Sequence, residues 1–154
     1  MDIAAPRLRC FDLARSIEFH IASMPGTAEQ AVGARRTGLL GLGDQVTWRA
    51  RHFGITLTLT SRITSFNPSA DFRDSQVSGP FLFFDHDHEF LPHPSDPQRT
   101  RMTDHFTYRA PYGILGRLAE RLAVTSYLTR LLTTRAGLLR AAAESDEWRR
   151  YLHA

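Results

Sequence analysis

The chain has 154 residues and a formal net charge of +3, with 42% hydrophobic and 23% charged side chains. This composition is that of one globular domain, and it excludes a disordered or fibrous chain. All 19 basic residues are arginines scattered along the sequence, without the concentrated basic patch of a nucleic-acid-binding surface. No stretch has the apolar length of a membrane span, and no signal peptide is recognisable. Because Cys10 is the single cysteine, we expect a cytoplasmic protein with no internal disulfide.

The first region, residues 6–34, carries short helical patterns. Four apolar residues are spaced for part of one helical face: Phe11, Leu13, Ile17 and Ile21. Pro25 and Gly26 then break the run. Thr27 can cap a second short helix that ends near Gly33.

The middle region alternates apolar and polar side chains in runs separated by turn signals. The predicted strands cover residues 37–40, 45–53, 55–64, 72–77, 81–91 and 99–109. A stretch with two prolines, residues 93–98, is predicted to be a polar loop. Short connections between consecutive strands favour an antiparallel meander.

The last region, residues 112–143, is predicted to be one long amphipathic helix that starts just after Pro111. Its apolar stripe comprises Leu115, Leu118, Leu122, Thr125, Leu128, Leu132 and Leu139, with arginines assigned to the opposite face. We expect one domain over residues 1–144, in which a curved sheet grips this helix around an apolar, ligand-sized interior. Residues 145–154 form a charged tail that is expected to fray, although Trp148 and Tyr151 could dock.

Six segments that span nearly the whole chain carry a family likeness. They are residues 10–16 (CFDLARS), 41–53 (GLGDQVTWRARHF), 59–66 (LTSRITSF), 72–84 (FRDSQVSGPFLFF), 86–90 (HDHEF) and 100–116 (TRMTDHFTYRAPYGILG). Together they resemble the Bet v 1/START-like (SRPBCC) superfamily, and within it the bacterial polyketide cyclase/dehydrase and ligand-binding SRPBCC group.

The resemblance implies an α+β helix-grip fold: a curved antiparallel sheet wrapped around a long C-terminal helix, with two short helices near the N-terminus. The superfamily it points to holds lipid carriers, hormone receptors and aromatase/cyclases, so the fold alone does not choose a function. Members usually begin with a complete first strand, whereas only residues 1–3 are left for it here. We therefore expect either a very short edge strand or a start codon downstream of the true one.

Six polar side chains share strand faces with apolar ones and are predicted to point toward the concave side of the sheet. They are His52, Asp74, Gln76, His86, His88 and Asp104. Two histidines at positions i and i+2 could chelate a metal with one of the aspartates, but an internal hydrogen-bond network is the favoured interpretation. A one-residue error in strand phase would instead turn these side chains to solvent.

An acid–base interpretation is open as well. A neutral histidine held by a carboxylate in an apolar cavity could move protons, as an aldol-type ring closure requires. The candidate catalytic residues are His52, His86 and His88, each with Asp74 or Asp104.

The leading functional prediction is a cavity that binds a hydrophobic small molecule, either a lipid or a polyketide-like aromatic. The predicted ligand contacts are Trp48, His52, Leu59, Ile63, Gln76, Phe84, His86, His88, Met102, Asp104, Phe106, Leu118, Leu122 and Thr125. The alternatives are a cyclase/dehydratase-type enzyme and a regulatory interaction domain with a collapsed cavity. A cavity of at least about 300 Å³ favours the first two functions over the third. We expect no cofactor, metal or nucleic-acid partner, and a homodimer is left open.

Overall fold

The computed structural model describes residues 1–152, without the side chains of Leu115, Ala119, Glu120 and Arg121. In chain order the elements are β1 (Asp2–Ile3), α1 (Arg7–Ala14), α2 (Ile17–Ala22), β2 (Gln30–Val32), β3 (Gln45–His52), β4 (Ile55–Asn67), β5 (Asp71–Ser78), β6 (Phe83–His93), β7 (Asp96–Arg109), α3 (Gly113–Ala119) and α4 (Thr125–Glu144). Within this described part, no helix combines the length and the apolar character needed to cross a membrane.

The seven strands form one antiparallel sheet in the order β1-β7-β6-β5-β4-β3-β2. Consecutive strands pair from β2 to β7, so the predicted meander is confirmed. Asp2 and Ile3 pair with β7 and make the very short edge strand that was one of the two expectations. The pairing of β4 with β5 shifts register twice, which bends the sheet over the C-terminal helix.

The predicted boundaries near the N-terminus need two corrections. The second short helix is not the one expected after Thr27 but α2, because Ser16 restarts the helix by accepting a 3.2 Å hydrogen bond from the Phe19 N–H. Residues 37–40 form no strand and contribute only an isolated bridge between Ser16 and Leu39. The edge strand is β2 instead, which pairs with β3. Local sequence propensity does not predict this strand, because the pairing with β3 stabilises its extended conformation.

The polar loop predicted at residues 93–98 is also wrong, because β6 and β7 extend into it and leave a two-residue turn. Pro92 is tolerated in β6 because it lies beyond Glu89, the last residue of that strand paired with β5. Its missing N–H therefore breaks no bond on that side.

The C-terminal helical segment contains a π-helical turn, Glu120–Val124, between α3 and α4. A π turn holds an extra residue and so rotates the following helical face by about 100°. The predicted apolar stripe is correct in the second half of α4, where Leu139 is buried. It is wrong before the turn, where Leu118 is 53% exposed, within it, where Leu122 is 73% exposed, and directly after it, where Thr125 is exposed. The predicted stripe position Leu115 lies outside the described side chains.

The close-packed core lies where α1 and the second half of α4 meet the sheet. The ring of Phe11 makes edge-to-face contacts with Phe66, Phe72 and Phe90, with centroids 5.4, 5.6 and 5.8 Å apart. Cys10 is buried in the same core, as a packing residue would be.

The C-terminal tail does not fray as expected. Asp146–Arg150 form a 3₁₀ helix, and Trp148, Tyr151 and Leu152 pack against the core. The Trp148 ring also receives the guanidinium of Arg9 at 4.6 Å from its centroid. The docking of Trp148 and Tyr151 is therefore what the structure shows.

Candidate ligand-binding cavity

The other half of the sheet does not close on the helix, and a cavity of about 290 Å³ remains there. We call it the main cavity. Its wall is mostly apolar and aromatic and includes Trp48, Ala50, Leu57, Leu59, Phe81, Phe84, Phe106, Leu128, Leu131 and Leu132. The volume is close to the lower end of the range of small-molecule sites, about 300 to 1,000 Å³.

One side of the main cavity is bounded by a contact between β3 and α4. His52 Nδ1 and the Tyr127 hydroxyl share a hydrogen bond of 2.6 Å. The ring of Phe53, which has a positive φ of 51°, lies 4.5 Å from the Tyr127 ring between centroids. Burial lowers the pKa of His52 and raises that of Tyr127, so both groups are neutral at physiological pH.

A cluster of histidines and a carboxylate lies deeper, where β6 pairs with β7. His88 Nδ1 is 2.6 Å from Asp104 Oδ1, and His86 Nε2 is 3.5 Å from the same oxygen. Burial lowers the pKa of both histidines, and for His88 burial and the adjacent His86 together lower it to about 3. Burial alone would raise the pKa of Asp104, but its interactions with the two histidines outweigh this and lower it. The cluster therefore holds two neutral imidazoles and one carboxylate.

Arg135 supplies the positive charge that faces this carboxylate. Its side chain is only 4% exposed, and its Nη2 donates a 3.0 Å hydrogen bond to the Ala14 carbonyl oxygen. Desolvation lowers the pKa of Arg135, while Asp104, Glu29 and Asp74 act in the opposite direction. An arginine in an apolar environment keeps its charge because its intrinsic pKa lies far above neutral pH.

Asp74, on β5, lies on the wall that the main cavity shares with a smaller space of about 50 Å³, which we call the inner recess. Its Oδ1 is sealed from solvent and has no hydrogen-bond partner in the described part of the chain. Burial raises the pKa of Asp74 from 3.8 to about 7, against the opposing effects of Ser61 and Arg135. Near neutral pH this carboxyl is therefore divided between its protonated and ionised forms.

The histidine–aspartate cluster was also a candidate metal site, and its three ligand atoms lie within 4.8 Å of one another. The 2.6 Å separation of His88 and Asp104 is nevertheless a hydrogen bond. Two ligands of one tetrahedral zinc ion would be about 3.3 Å apart. Arg135 already provides the counter-charge of the carboxylate. In this structure Asp104 is instead held by its hydrogen bond to His88.

Six of the predicted ligand contacts lie on the wall of the main cavity: Trp48, His52, Leu59, Phe84, His86 and Phe106. Ile63 and His88 line the inner recess instead. Asp104 lies behind the two histidines, and Met102 is buried in the core.

Four predicted contacts are elsewhere. Gln76 is used to hold the backbone of Phe81, donating from Nε2 to its carbonyl oxygen at 2.7 Å. Leu118 and Leu122 point to solvent because of the π turn. The hydroxyl of Thr125 shares a 2.8 Å hydrogen bond with that of Tyr108, so the helix contacts the cavity through a different set of side chains.

Two sets of functional residues were missed by the sequence reasoning. His20 stacks on Trp48 with centroids 4.0 Å apart, and its Nε2 is 3.3 Å from Glu29 Oε1. No sequence pattern marked His20 and Glu29, since their contact joins α2 to the loop before β2. Arg135 did leave a signal, because it occupies the stripe position between Leu132 and Leu139 at three- and four-residue steps.

Comparison with known proteins identifies the fold. No family model matches the sequence, and no curated protein matches it. A protein of Thermus thermophilus is similar in structure with a TM-score of 0.73 at 19% identity, over 93% of this chain and 92% of that one. The Zhui aromatase/cyclase of Streptomyces sp. R1128 has a TM-score of 0.70 at 19% identity, over 99% of this chain and 93% of that one. Ara h 8.0201 has a TM-score of 0.62 at 10% identity, over 90% of this chain and 93% of that one. The chain therefore has the helix-grip fold of Bet v 1/START-like proteins.

Proposed function

We propose that the protein binds a hydrophobic small molecule in the main cavity between the sheet and α4. The observation that carries the proposal is the cavity itself, about 290 Å³ with an almost entirely apolar wall. Native interiors are close-packed, and an unfilled apolar cavity costs stability. A cavity of this size in an otherwise well-packed domain is best explained by a ligand that fills it. The volume, close to the threshold of about 300 Å³, supports ligand binding over the collapsed interior that the interaction-domain alternative requires.

The wall favours an aromatic ligand over a flexible lipid chain. Phe84 and Phe106 stack with centroids 5.2 Å apart, and Trp48 lies on the same wall. Flat rings that are already held in place can stack on a planar ligand without losing side-chain freedom. A planar, polyketide-like aromatic matches such a wall better than an acyl chain does.

An aromatic probe and a cavity-filling variant test this proposal. Isothermal titration calorimetry with 2-naphthol and with laurate should show one-to-one binding, tighter for 2-naphthol. Ala50→Phe puts a ring into the cavity and should weaken 2-naphthol binding at least about tenfold. Thr58→Phe adds the same ring on the exposed side of the sheet and should leave binding unchanged. No binding by the unmodified protein, or equal binding by the Ala50→Phe variant, would refute the proposal.

A cyclase/dehydratase activity is a second candidate, favoured by two groups that face the same cavity. His86, kept neutral by burial, could remove a proton from the carbon next to a ligand carbonyl. The resulting enolate carbon would form a bond to the carbon of a second carbonyl of the ligand. Asp74, in its protonated form, could donate its proton to the oxygen of that second carbonyl, which becomes a hydroxyl. This aldol-type step balances without a cofactor.

Proton exchange provides the test of the second candidate. The protein should accelerate exchange of the α-hydrogens of 2-tetralone in deuterated water, measured by NMR, and His86→Gln should abolish the acceleration. If the ketone binds and exchange runs at the buffer rate, the enzyme candidate fails and the binding proposal stands.

A further inference from the structure

The inner end of the main cavity contains an unusual set of polar atoms. Six sealed side-chain N or O atoms within residues 1–152 have no hydrogen-bond partner. Four of them belong to residues that line the main cavity or the inner recess: Glu29 Oε2, Asp74 Oδ1, His86 Nε2 and Arg135 Nε. Glu29, Asp74 and His86 line the main cavity, and Asp74, His86 and Arg135 line the inner recess.

Such a concentration requires an explanation. Buried polar groups in native proteins are nearly always hydrogen-bonded, and each unbonded one costs about 1–3 kcal/mol. The 3.5 Å approach of His86 Nε2 to Asp104 Oδ1 does not satisfy this nitrogen, since it is longer than a good hydrogen bond. Glu29 Oε2, Asp74 Oδ1 and Arg135 Nε therefore lack partners that a molecule in the cavity could supply, whereas His86 Nε2 faces Asp104.

The charges around the recess select a neutral partner group. Arg135 is cationic, Asp104 is anionic, and Glu29 is anionic because its interaction with His20 outweighs the effect of burial on its pKa. An anionic ligand group would meet the two carboxylates, and a cationic one would meet the guanidinium. A neutral polar group avoids both penalties.

The hydrogen-bonding roles select a hydroxyl. Arg135 Nε can only donate, and Glu29 Oε2 as a carboxylate oxygen can only accept. Asp74 donates or accepts according to its protonation, which is divided near neutral pH. A hydroxyl both donates and accepts: it can accept from Arg135 Nε and donate its one proton to Glu29 or to ionised Asp74, or accept from protonated Asp74 and donate to Glu29. A carbonyl or ether oxygen only accepts, so it cannot donate to either carboxylate.

We propose that the inner recess is a subsite for a hydroxyl group, and that the ligand is a hydroxylated aromatic molecule held with its rings against Trp48 and Phe84. This inference rests on the proposed binding function and narrows its ligand. The rings fill the apolar part of the main cavity, and the hydroxyl enters between Asp74, His86 and Arg135.

Three matched probes test the subsite by calorimetry at pH 7: 2-naphthol, naphthalene and 2-methoxynaphthalene. They share one ring system and differ in having a hydroxyl, no oxygen, or an oxygen that only accepts. The unmodified protein should bind 2-naphthol about tenfold more tightly than either of the others, as expected for one well-placed hydrogen-bonded group.

Asp74→Val should reduce this preference to about threefold or less while the naphthalene affinity stays within about twofold. The retained naphthalene binding shows that the variant has folded with its cavity intact. Asp87→Val makes the same change on the outer face, where Asp87 pairs with Arg73 at 2.6 Å, and should keep the full preference.

The outcomes separate the two proposals. If all three probes bind equally, the hydroxyl subsite is refuted and the binding proposal stands, because water then satisfies the recess. If the preference persists in Asp74→Val, the assignment to Asp74 is refuted. If none of the probes binds the unmodified protein, both proposals fail.

Discussion

Replacing Asp74 by asparagine is expected to stabilise the folded protein, by an amount that grows as the pH rises. The Asp74 carboxyl is enclosed, its Oδ1 lacks a partner, and burial raises its pKa from 3.8 to about 7. Between these two pH values the unfolded chain has released the proton and the folded chain still holds it. The free energy of unfolding contributed by Asp74 therefore falls as the pH rises through this window.

The size of the effect follows from the same interval. A pKa that moves from 3.8 to about 7 corresponds to about 4 kcal/mol, since each pH decade contributes about 1.4 kcal/mol. Asparagine has no proton to release, so the Asp74→Asn variant lacks this loss. Its stability relative to the unmodified protein should therefore increase by up to about 4 kcal/mol between pH 4 and pH 8.

A second group masks the effect in the curve of the unmodified protein. Burial and the adjacent His86 lower the pKa of His88 from 6.5 to about 3. Between these pH values the unfolded chain therefore binds a proton at His88, and the folded chain does not. This contribution to stability is lost as the pH falls, which is opposite in sign to that of Asp74. The informative quantity is therefore the difference between variants at each pH.

Urea denaturation followed by circular dichroism at pH 5, 6, 7 and 8 gives that difference. Asp87→Asn is the control, because Asp87 is ionised over this range in both states: in the unfolded chain through its ordinary pKa, and in the folded chain because the hydrogen bond from Arg73 lowers that pKa. Its difference from the unmodified protein should not vary with pH. A constant difference for Asp74→Asn, or an unmodified protein that is the more stable of the two at pH 8, would refute the reasoning.

Three further variants probe the packing around the site, each measured by urea denaturation at pH 7. Asp104→Ala removes the partner of His88 and the counter-charge of Arg135, and should cost about 3–5 kcal/mol; a cost below about 1 kcal/mol would show that the cluster is solvated. Arg135→Met should cost a similar amount, and combining it with Asp104→Ala should cost clearly less than the sum, because the two groups interact; additivity would contradict that. Trp148→Ala should cost about 2 kcal/mol through lost packing against the core and the lost contact with Arg9, and an unchanged midpoint would mean that the tail is not docked.

The sheet was predictable because strand faces follow a strict alternation. Trp48 and Ala50 share one face of β3, and both lie on the cavity wall as the alternation predicts. His86 and His88 likewise share one face of β6, which brings their rings to 3.8 Å between centroids. Once the turns between strands are recognised, the period of two determines which side chains share each face of a strand.

The helix contacts were not predictable to the same degree. The one added residue in the π turn changes the direction of the side chains before the turn relative to those after it. The apolar periodicity of the sequence alone does not locate such a turn. The pairing of β2 with β3 and the contact of His20 with Glu29 are tertiary contacts, which local sequence patterns do not contain. The burial of Arg135 could have been predicted, because a charged residue within an apolar stripe indicates a buried charge that needs partners.

The most direct test of the central claim is a crystal structure of the protein soaked with 6-bromo-2-naphthol, with the bromine located by anomalous scattering. We expect one bromine position inside the main cavity, between Trp48 and Leu132, with the hydroxyl oxygen within about 3.5 Å of Asp74. A cavity without bromine density, or bromine found only in a surface groove that Leu8, Trp148 and Tyr151 line, would contradict the claim that this fold binds an aromatic ligand in its interior.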